Sequence, residues 1–324
     1  SELKANYEIS PFKGLQKRFK NASIIFSKGY TSEDSNQNHK SLIKDALLTA
    51  SSADVVLFIG GLNKNTGQDC EAADREELKL PYNQDYLISE LQKVNPNIGV
   101  LLVSGNAVSM PWISDVKAVL QTWYLGSEAG NAIADIISGD ENPSGKLPFS
   151  FPVKLTDNSA HFFGELSYPG DGETQYYKDG ILVGYRWHDT KNIKPLFSFG
   201  HGLSYSSFKI TDIKSDKKIY TANDSINITY NLKNTGSKDG AEVVQVYIGM
   251  SNSNVLRALK ELKGFKKTYL RAGNQTSEII TINVSDLSFY DESISNWNLE
   301  KGSYIIYVGN ASDGVSEQIN IKVK

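Results

Sequence analysis

The hydrophobic period changes once along this chain of 324 residues, and that change limits its folds more than any other feature. Up to about residue 152, short apolar runs alternate with stripes at helical spacing. Residues 54–61 (DVVLFIGG) form a continuous apolar run ending in two glycines, the pattern of a strand covered on both faces. Residues 98–104 and 116–123 read as further strands, and 23–27 (SIIFS) as another strand candidate. Helical stripes lie between them: Leu42, Ile43, Ala46, Leu47 and Ala50; then Leu87, Ile88, Leu91 and Val94; then Ala129, Ile133, Ala134 and Ile137. Strand and helix in alternation predict an α/β sandwich, a mostly parallel sheet with helices on both faces. From about Phe208 the period becomes two. Seven short alternating or β-branched runs are separated by turn signals such as Asn234-Thr235-Gly236 and Ala272-Gly273-Asn274. They predict an all-β sandwich of immunoglobulin or fibronectin III-like topology. Between the two lies a stretch rich in Gly, Tyr, Phe and Pro. The expected division is 1–153, an extended connector 154–207 packing on both domains, and 208–324.

Composition excludes several classes. Hydrophobic residues make up 40% and charged residues 22%, which are globular values. Net charge is −3, with no basic excess to suggest a nucleic-acid partner. No apolar run approaches the roughly 18 residues of a membrane helix, so no membrane partner is expected. Cys70 is the single cysteine, which excludes an internal disulfide. His39, His161, His188 and His201 stand far apart, without metal-ligand spacing, so no metal is expected. Residues 1–10 show no signal peptide, which says little about compartment in a chain that opens in mid-flow.

The loop 60–81 (GGLNKNTGQDCEAADREELKLP) leaves the carboxyl end of the first apolar strand, where sites form in open α/β sheets. It concentrates Asp69, Glu71, Asp74, Glu76 and Glu77 around Arg75. One reading is a solvated loop in which Asp74 and Arg75 form salt bridges or cap the next helix. The other is that one carboxyl group is a general acid, and spacing does not choose among the five. The aromatics Trp112, Trp123, Tyr124, Tyr185 and Trp187 are candidates for stacking on a ligand or for core packing. His188 and His201 read as structural histidines.

Six stretches, in order, resemble the C-terminal part of glycoside hydrolase family 3, the β-glucosidase/β-xylosidase type. They are DCEAADREELKLPYNQ (69–84), LLVSGNAVSMPW (101–112), QTWYLGSEAGNAIADIISGDENPSGKLPFSFP (121–152), VGYRWHDTKNIKPLFSFGHGLSYSSF (183–208), NTGSKDGAEVVQVYI (234–248) and DLSFYDESISNW (286–297). The resemblance implies the last two of three family domains: an α/β sandwich with the acid/base and a fibronectin type III-like domain. The nucleophile would belong to an N-terminal barrel. The family acid/base motif E-G-x-D-R before L-x-L-P falls on Glu71-Ala72-Ala73-Asp74-Arg75 and Leu78-Lys79-Leu80-Pro81. Glu71 is thereby the implied catalytic acid/base, with Asp74 and Arg75 supporting the loop. Ala72 departs from the usual glycine, and alanine would carry strain if that position needs φ > 0. The barrel's S-D-W or S-D-Y nucleophile motif has only Ser114-Asp115 and Ser285-Asp286 as look-alikes, both read as structural.

The resemblance implies a retaining exo-β-glycosidase of the β-glucosidase type, with no cofactor. Its partners would be a β-linked glucoside or oligosaccharide and a barrel segment of the same enzyme or a partner chain. A non-catalytic accessory or carbohydrate-binding module is the alternative, which Ala or Gln at position 71 would have favoured. The family's opening strand has no counterpart in residues 1–10, so a partner polypeptide or self-association is expected to cover the sheet edge.

Overall fold

The computed structural model describes residues 4–32, 36–71 and 73–324. Ala72, the departure from the motif glycine, lies outside them. The described chain forms two compact units, 1–141 and 142–324.

In the first unit, β1 (Val56–Gly61), β2 (Ile98–Val103) and β3 (Ala118–Gln121) form a parallel sheet in that order. Val100, Leu101 and Leu102 of β2 are all at most 1% exposed. Adjacent strand residues point to opposite faces, so both faces of this sheet are covered. Four helices do the covering: α1 (Pro11–Arg18), α2 (Asn36–Ser51), α3 (Gln84–Val94) and α4 (Ala129–Ser138). α1 packs on α4 and α2 on α3. Ser10 caps α1 by accepting from Lys13 N at 3.3 Å, and Pro11 opens its first turn. Gly14 lies so close to Gly130 of α4 that an added Cβ would overlap the Gly130 carbonyl. The Ile9 amide donates to Ser127 O at 2.9 Å, and Gly130 N donates back to Ile9 O at 2.8 Å.

Residues 23–27, expected as a strand, are irregular and join no ladder. Ile25 and Phe26 are 66% and 67% exposed. The apolar run has strand composition, but a strand is defined by a hydrogen-bonded neighbour, and β1 pairs only with β2 among the described residues.

The second unit contains the short helices α5 (Ser159–Phe162) and α6 (Tyr185–Lys191), then β4 (Phe208–Ser215), β5 (Ile219–Tyr220), β6 (Ser225–Asn234), β7 (Gly240–Met250), β8 (Glu261–Leu270), β9 (Gln275–Asn283), β10 (Phe289–Asp291), β11 (Asn296–Asn298), β12 (Gly302–Gly309) and β13 (Val315–Val323). One sheet runs β5-β13-β12-β7-β8 and the other β4-β6-β9, with β10–β11 as a separate hairpin. All pairings are antiparallel except β13 with β5. Alternate residues of β6, Ile226, Ile228, Tyr230 and Leu232, enter a core shared with Val244, Val246, Tyr304, Ile306 and Ile282.

β7 is buried on both faces, and the connector explains the second one. Tyr185 of α6 meets Tyr247 edge-on at 5.7 Å and donates no bond there; its hydroxyl accepts from Leu262 N at 2.8 Å. Gln245 Nε2 donates to Gly200 O and Asn310 O. Residues 147–151 and 196–201 exchange backbone bonds, including Leu147 N to His201 O at 2.8 Å. Two nearly buried ion pairs add to this: Lys146, just before the 147–151 segment, pairs with Glu242 of β7 at 2.7 Å, and Asp189 of the connector pairs with Lys260 of the loop before β8 at 2.6 Å.

Candidate functional site

The end of β1 sets the geometry of the loop that follows. Gly61 has φ of +137°, and an added Cβ would overlap the Val103 backbone of β2. A Cβ on Gly60 would collide with the Gln84 amide and the Phe58 ring. Gln84 fills that space: its Oε1 accepts from Gly61 N at 2.7 Å, and its Nε2 donates to Gly61 O at 2.8 Å and Pro81 O at 3.0 Å. The side chain of Gln84 is fully buried. Reaching it requires Tyr82 and Asn83 to adopt left-handed φ values of 61° and 58° just before α3. Such conformations cost about 1–3 kcal/mol each and persist where surrounding contacts impose them.

The Tyr82 hydroxyl gathers the first part of the loop, accepting from Asn63 Nδ2, Asn65 Nδ2 and Gln68 Nε2 at 3.3, 3.0 and 2.5 Å. The Gln68 Oε1 in turn accepts from Asn63 N at 2.9 Å. Asp85 holds the loop's far end. Its Oδ2 accepts from Leu80 N at 3.1 Å and its Oδ1 from the buried Trp112 indole at 2.7 Å. Burial raises the Asp85 pKa against those two bonds.

The five acids of the loop separate by what they touch. Asp69 is half-buried and accepts three bonds: Oδ2 from Gly105 N at 2.6 Å and from Tyr124 Oη at 2.7 Å, Oδ1 from Asn106 Nδ2 at 2.6 Å. Burial, followed by the bond to Asp69, pushes the Tyr124 pKa up, so the phenol stays a donor. Glu71, Asp74 and Glu76 are exposed. Glu71 lies inside a tight turn closed by the Cys70–Ala73 bridge, across which Cys70 Sγ contacts Ala73 O at 3.4 Å. Glu77 pairs with Lys79 at 3.4 Å on the surface. Arg75 is half-buried and caps no helix; Nη1 donates to Ala107 O at 2.8 Å and Nη2 to Lys79 O at 3.4 Å. Burial lowers its pKa, opposed by the nearby Asp69 and Glu77. A guanidinium remains charged and here supplies a donor to each of two carbonyls.

The remaining candidates are placed as follows. Trp112 is 1% exposed and belongs to the core. Trp123 is half-buried at the carboxyl end of β3 with φ of 59°, a strained setting for a bulky residue. Tyr124 is exposed beside Asp69. In the second unit, Trp187 is buried and donates to Asp157 O at 3.1 Å, and His188 Nδ1 lies 3.0 Å from Ile193 O. His201 stacks on Phe197 at 5.1 Å, and burial lowers its pKa. Asp115 follows the turn at Trp112, where its Oδ1 accepts from Ser114 Oγ at 3.1 Å. Asp286 lies on a short 3-10 turn, Val284–Leu287.

Sequence reasoning did not separate Asp69 from the other acids, did not find Tyr82, and took Tyr124 as an aromatic surface and not as a donor to Asp69. A signal was present. Gly105-Asn106 and Trp123-Tyr124 follow β2 and β3, and loops at the carboxyl ends of neighbouring parallel strands converge.

Comparison with known proteins agrees with this architecture. Residues 1–205 match the glycosyl hydrolase family 3 C-terminal domain, and residues 242–312 match a fibronectin type III-like domain. A β-glucosidase of Bacteroides ovatus is 43% identical over 324 residues, which is 97% of this chain and 43% of that protein. A family 3 β-glucosidase structure from Bifidobacterium adolescentis superposes with a TM-score of 0.90 at 32% identity, covering 98% of this chain and 46% of that one. The β-glucosidase of Kluyveromyces marxianus, solved in complex with glucose, gives 0.81 at 38% identity, covering 88% of this chain and 34% of that one. The chain spans less than half the length of these relatives. With the family domain covering residues 1–205 and the fibronectin III-like domain following it, the chain belongs to glycoside hydrolase family 3.

Proposed function

We propose that this chain is the acid/base-bearing portion of a retaining exo-β-glycosidase of the β-glucosidase type, with Glu71 as the acid/base. The observation that carries the reading is the placement of Glu71. It lies in a tight turn beyond the carboxyl end of β1, in the sequence frame Glu71, Asp74, Arg75, Leu78, Leu80, Pro81. Its neighbours Asp69 and Arg75 are tied down while Glu71 itself stays exposed. A retaining glycosidase sets two carboxyl groups about 5–5.5 Å apart. One attacks the anomeric carbon; the other protonates the departing oxygen and then takes a proton from the water that releases the sugar. Glu71 supplies the second role. The nucleophile comes from a barrel segment of the same enzyme or a partner chain. Asp74 and Arg75 support the loop, Arg75 through its two carbonyl contacts. The division into 1–153, 154–207 and 208–324, with the sandwich following the α/β domain, belongs to the same reading.

Glucose bound in the Kluyveromyces marxianus relative supports a terminal glucoside as substrate. The test is turnover by this chain alone and by the complete polypeptide. The chain alone is expected to hydrolyse no aryl β-glucoside, because a lone acid leaves the route without its first step. The complete polypeptide is expected to release β-glucose first, with retention. Turnover by the chain alone that Glu71→Gln abolishes would overturn the barrel requirement. A complete polypeptide that binds glucosides and never cleaves them would make the protein an accessory module.

A further inference from the structure

We infer that Asp69 is the positioning residue of the acid/base, acting through Glu71 and not on the sugar; the inference rests on the assignment of Glu71 above. A proton donor on a loop works only if the loop is held, since productive geometry tolerates about 0.5 Å of error and free loops move more than that. The turn bearing Glu71 is held on both sides, and both attachments reach the same segment. Upstream, the Asp69 carboxylate grips Gly105 N, Asn106 Nδ2 and Tyr124 Oη at 2.6, 2.6 and 2.7 Å. Downstream, Arg75 Nη1 grips Ala107 O at 2.8 Å. Residues 105–107 are thus a rail, with Glu71 suspended between two clips, and the Cys70–Ala73 bridge shortens the span between them.

The upstream clip has the stronger chemistry. Bonds to an ionised carboxylate are roughly twice as strong as neutral ones. Gly105 is what lets the parts approach: an added Cβ would stand 3.1 Å from the Tyr124 ring and 3.3 Å from Asp69 Oδ2. Three donors hold the Asp69 carboxylate in place, one on each of three anchoring residues. It stands two residues from Glu71, so a shift of Asp69 is passed to Glu71 through one peptide unit on either side of Cys70.

The test is leaving-group dependence in the complete polypeptide, using Asp69→Ala, Tyr124→Phe, Glu71→Ala and the double variant Asp69→Ala/Glu71→Ala. In the first step, read by kcat/KM, a misplaced acid harms only departures that need a proton. Asp69→Ala is expected to lower kcat/KM for alkyl glucosides by about 10–100-fold and leave kcat/KM for dinitrophenyl glucoside near the parent value. The double variant is expected to be no slower than Glu71→Ala alone. Tyr124→Phe, which removes a single hydroxyl, is expected to show a smaller effect of the same kind and serves if Asp69→Ala does not fold. Equal losses on both glucosides, or losses in the double variant that multiply, would overturn the inference and leave Glu71 in its role. If Glu71→Ala itself lacks the leaving-group pattern, the assignment of Glu71 fails and the inference falls with it.

Discussion

Gln84 shows how one buried amide governs the mouth of this loop. Both ends of its side chain bond the Gly61 backbone, and Tyr82 and Asn83 are strained in delivering it. Gln84→Ala would leave the Gly61 N–H and C=O buried without partners, at about 1–3 kcal/mol each. The expected loss is about 2–4 kcal/mol in the stability of the α/β unit, read from denaturant midpoints at unchanged slope; a loss below about 0.5 kcal/mol would show that the loop repairs itself. The same scale shows what the sequence could carry. Its composition marked loop 60–81 as acid-rich, and its family frame marked Glu71. The roles of Asp69 and Tyr124 were not legible because their hydrogen bonds join residues 36 to 55 positions apart. Composition reports no such distance.

At the scale of elements, legibility followed periodicity. β1, β2 and β7 are apolar runs, and β6 alternates cleanly, so their existence could be read. Residues 23–27 have the same composition but lack a ladder partner, a property no local pattern encodes. α1 was missed because eight residues with Phe12 and Leu15 as the only large apolar side chains give little periodic signal. The turn between β5 and β6 offers a test of the sandwich. Asp224 accepts from Lys217 Nζ, Thr221 N and Thr221 Oγ1, and the Lys217 ammonium, with the Thr221 bonds, holds its pKa down at about 2. A carboxyl whose folded pKa is depressed contributes stability above its unfolded pKa of about 3.9, and that contribution is lost as pH falls through the folded value. The stability gap between the parent and Asp224→Asn is therefore expected to be constant above about pH 5 and to close between about pH 4 and 2. Acid titrations followed by circular dichroism check this; a gap unchanged to pH 2 would mean that the turn's ion pair does not form in solution.

For the whole molecule, the connector between helical and β-sheet regions is the part that no periodicity described. Its order comes from pairing 147–151 with 196–201 and from covering the outer face of β7 with Tyr185 and the 200 loop. The family frame, in contrast, runs across most of the chain, which is why the domain types were legible while the side-chain networks were not. The central claim is that Glu71 is the general acid/base, and one measurement bears on it most directly. In the complete polypeptide, Glu71→Ala is assayed on a dinitrophenyl and an alkyl β-glucoside, with and without azide. Removing the acid should slow the alkyl glucoside by about 10²–10⁴-fold while glycosyl transfer from the activated substrate persists. Azide needs no deprotonation to attack, so it should speed the second step and give β-glucosyl azide. Equal losses on both substrates, with no azide product, would contradict the assignment and leave Glu71 a structural residue of the loop.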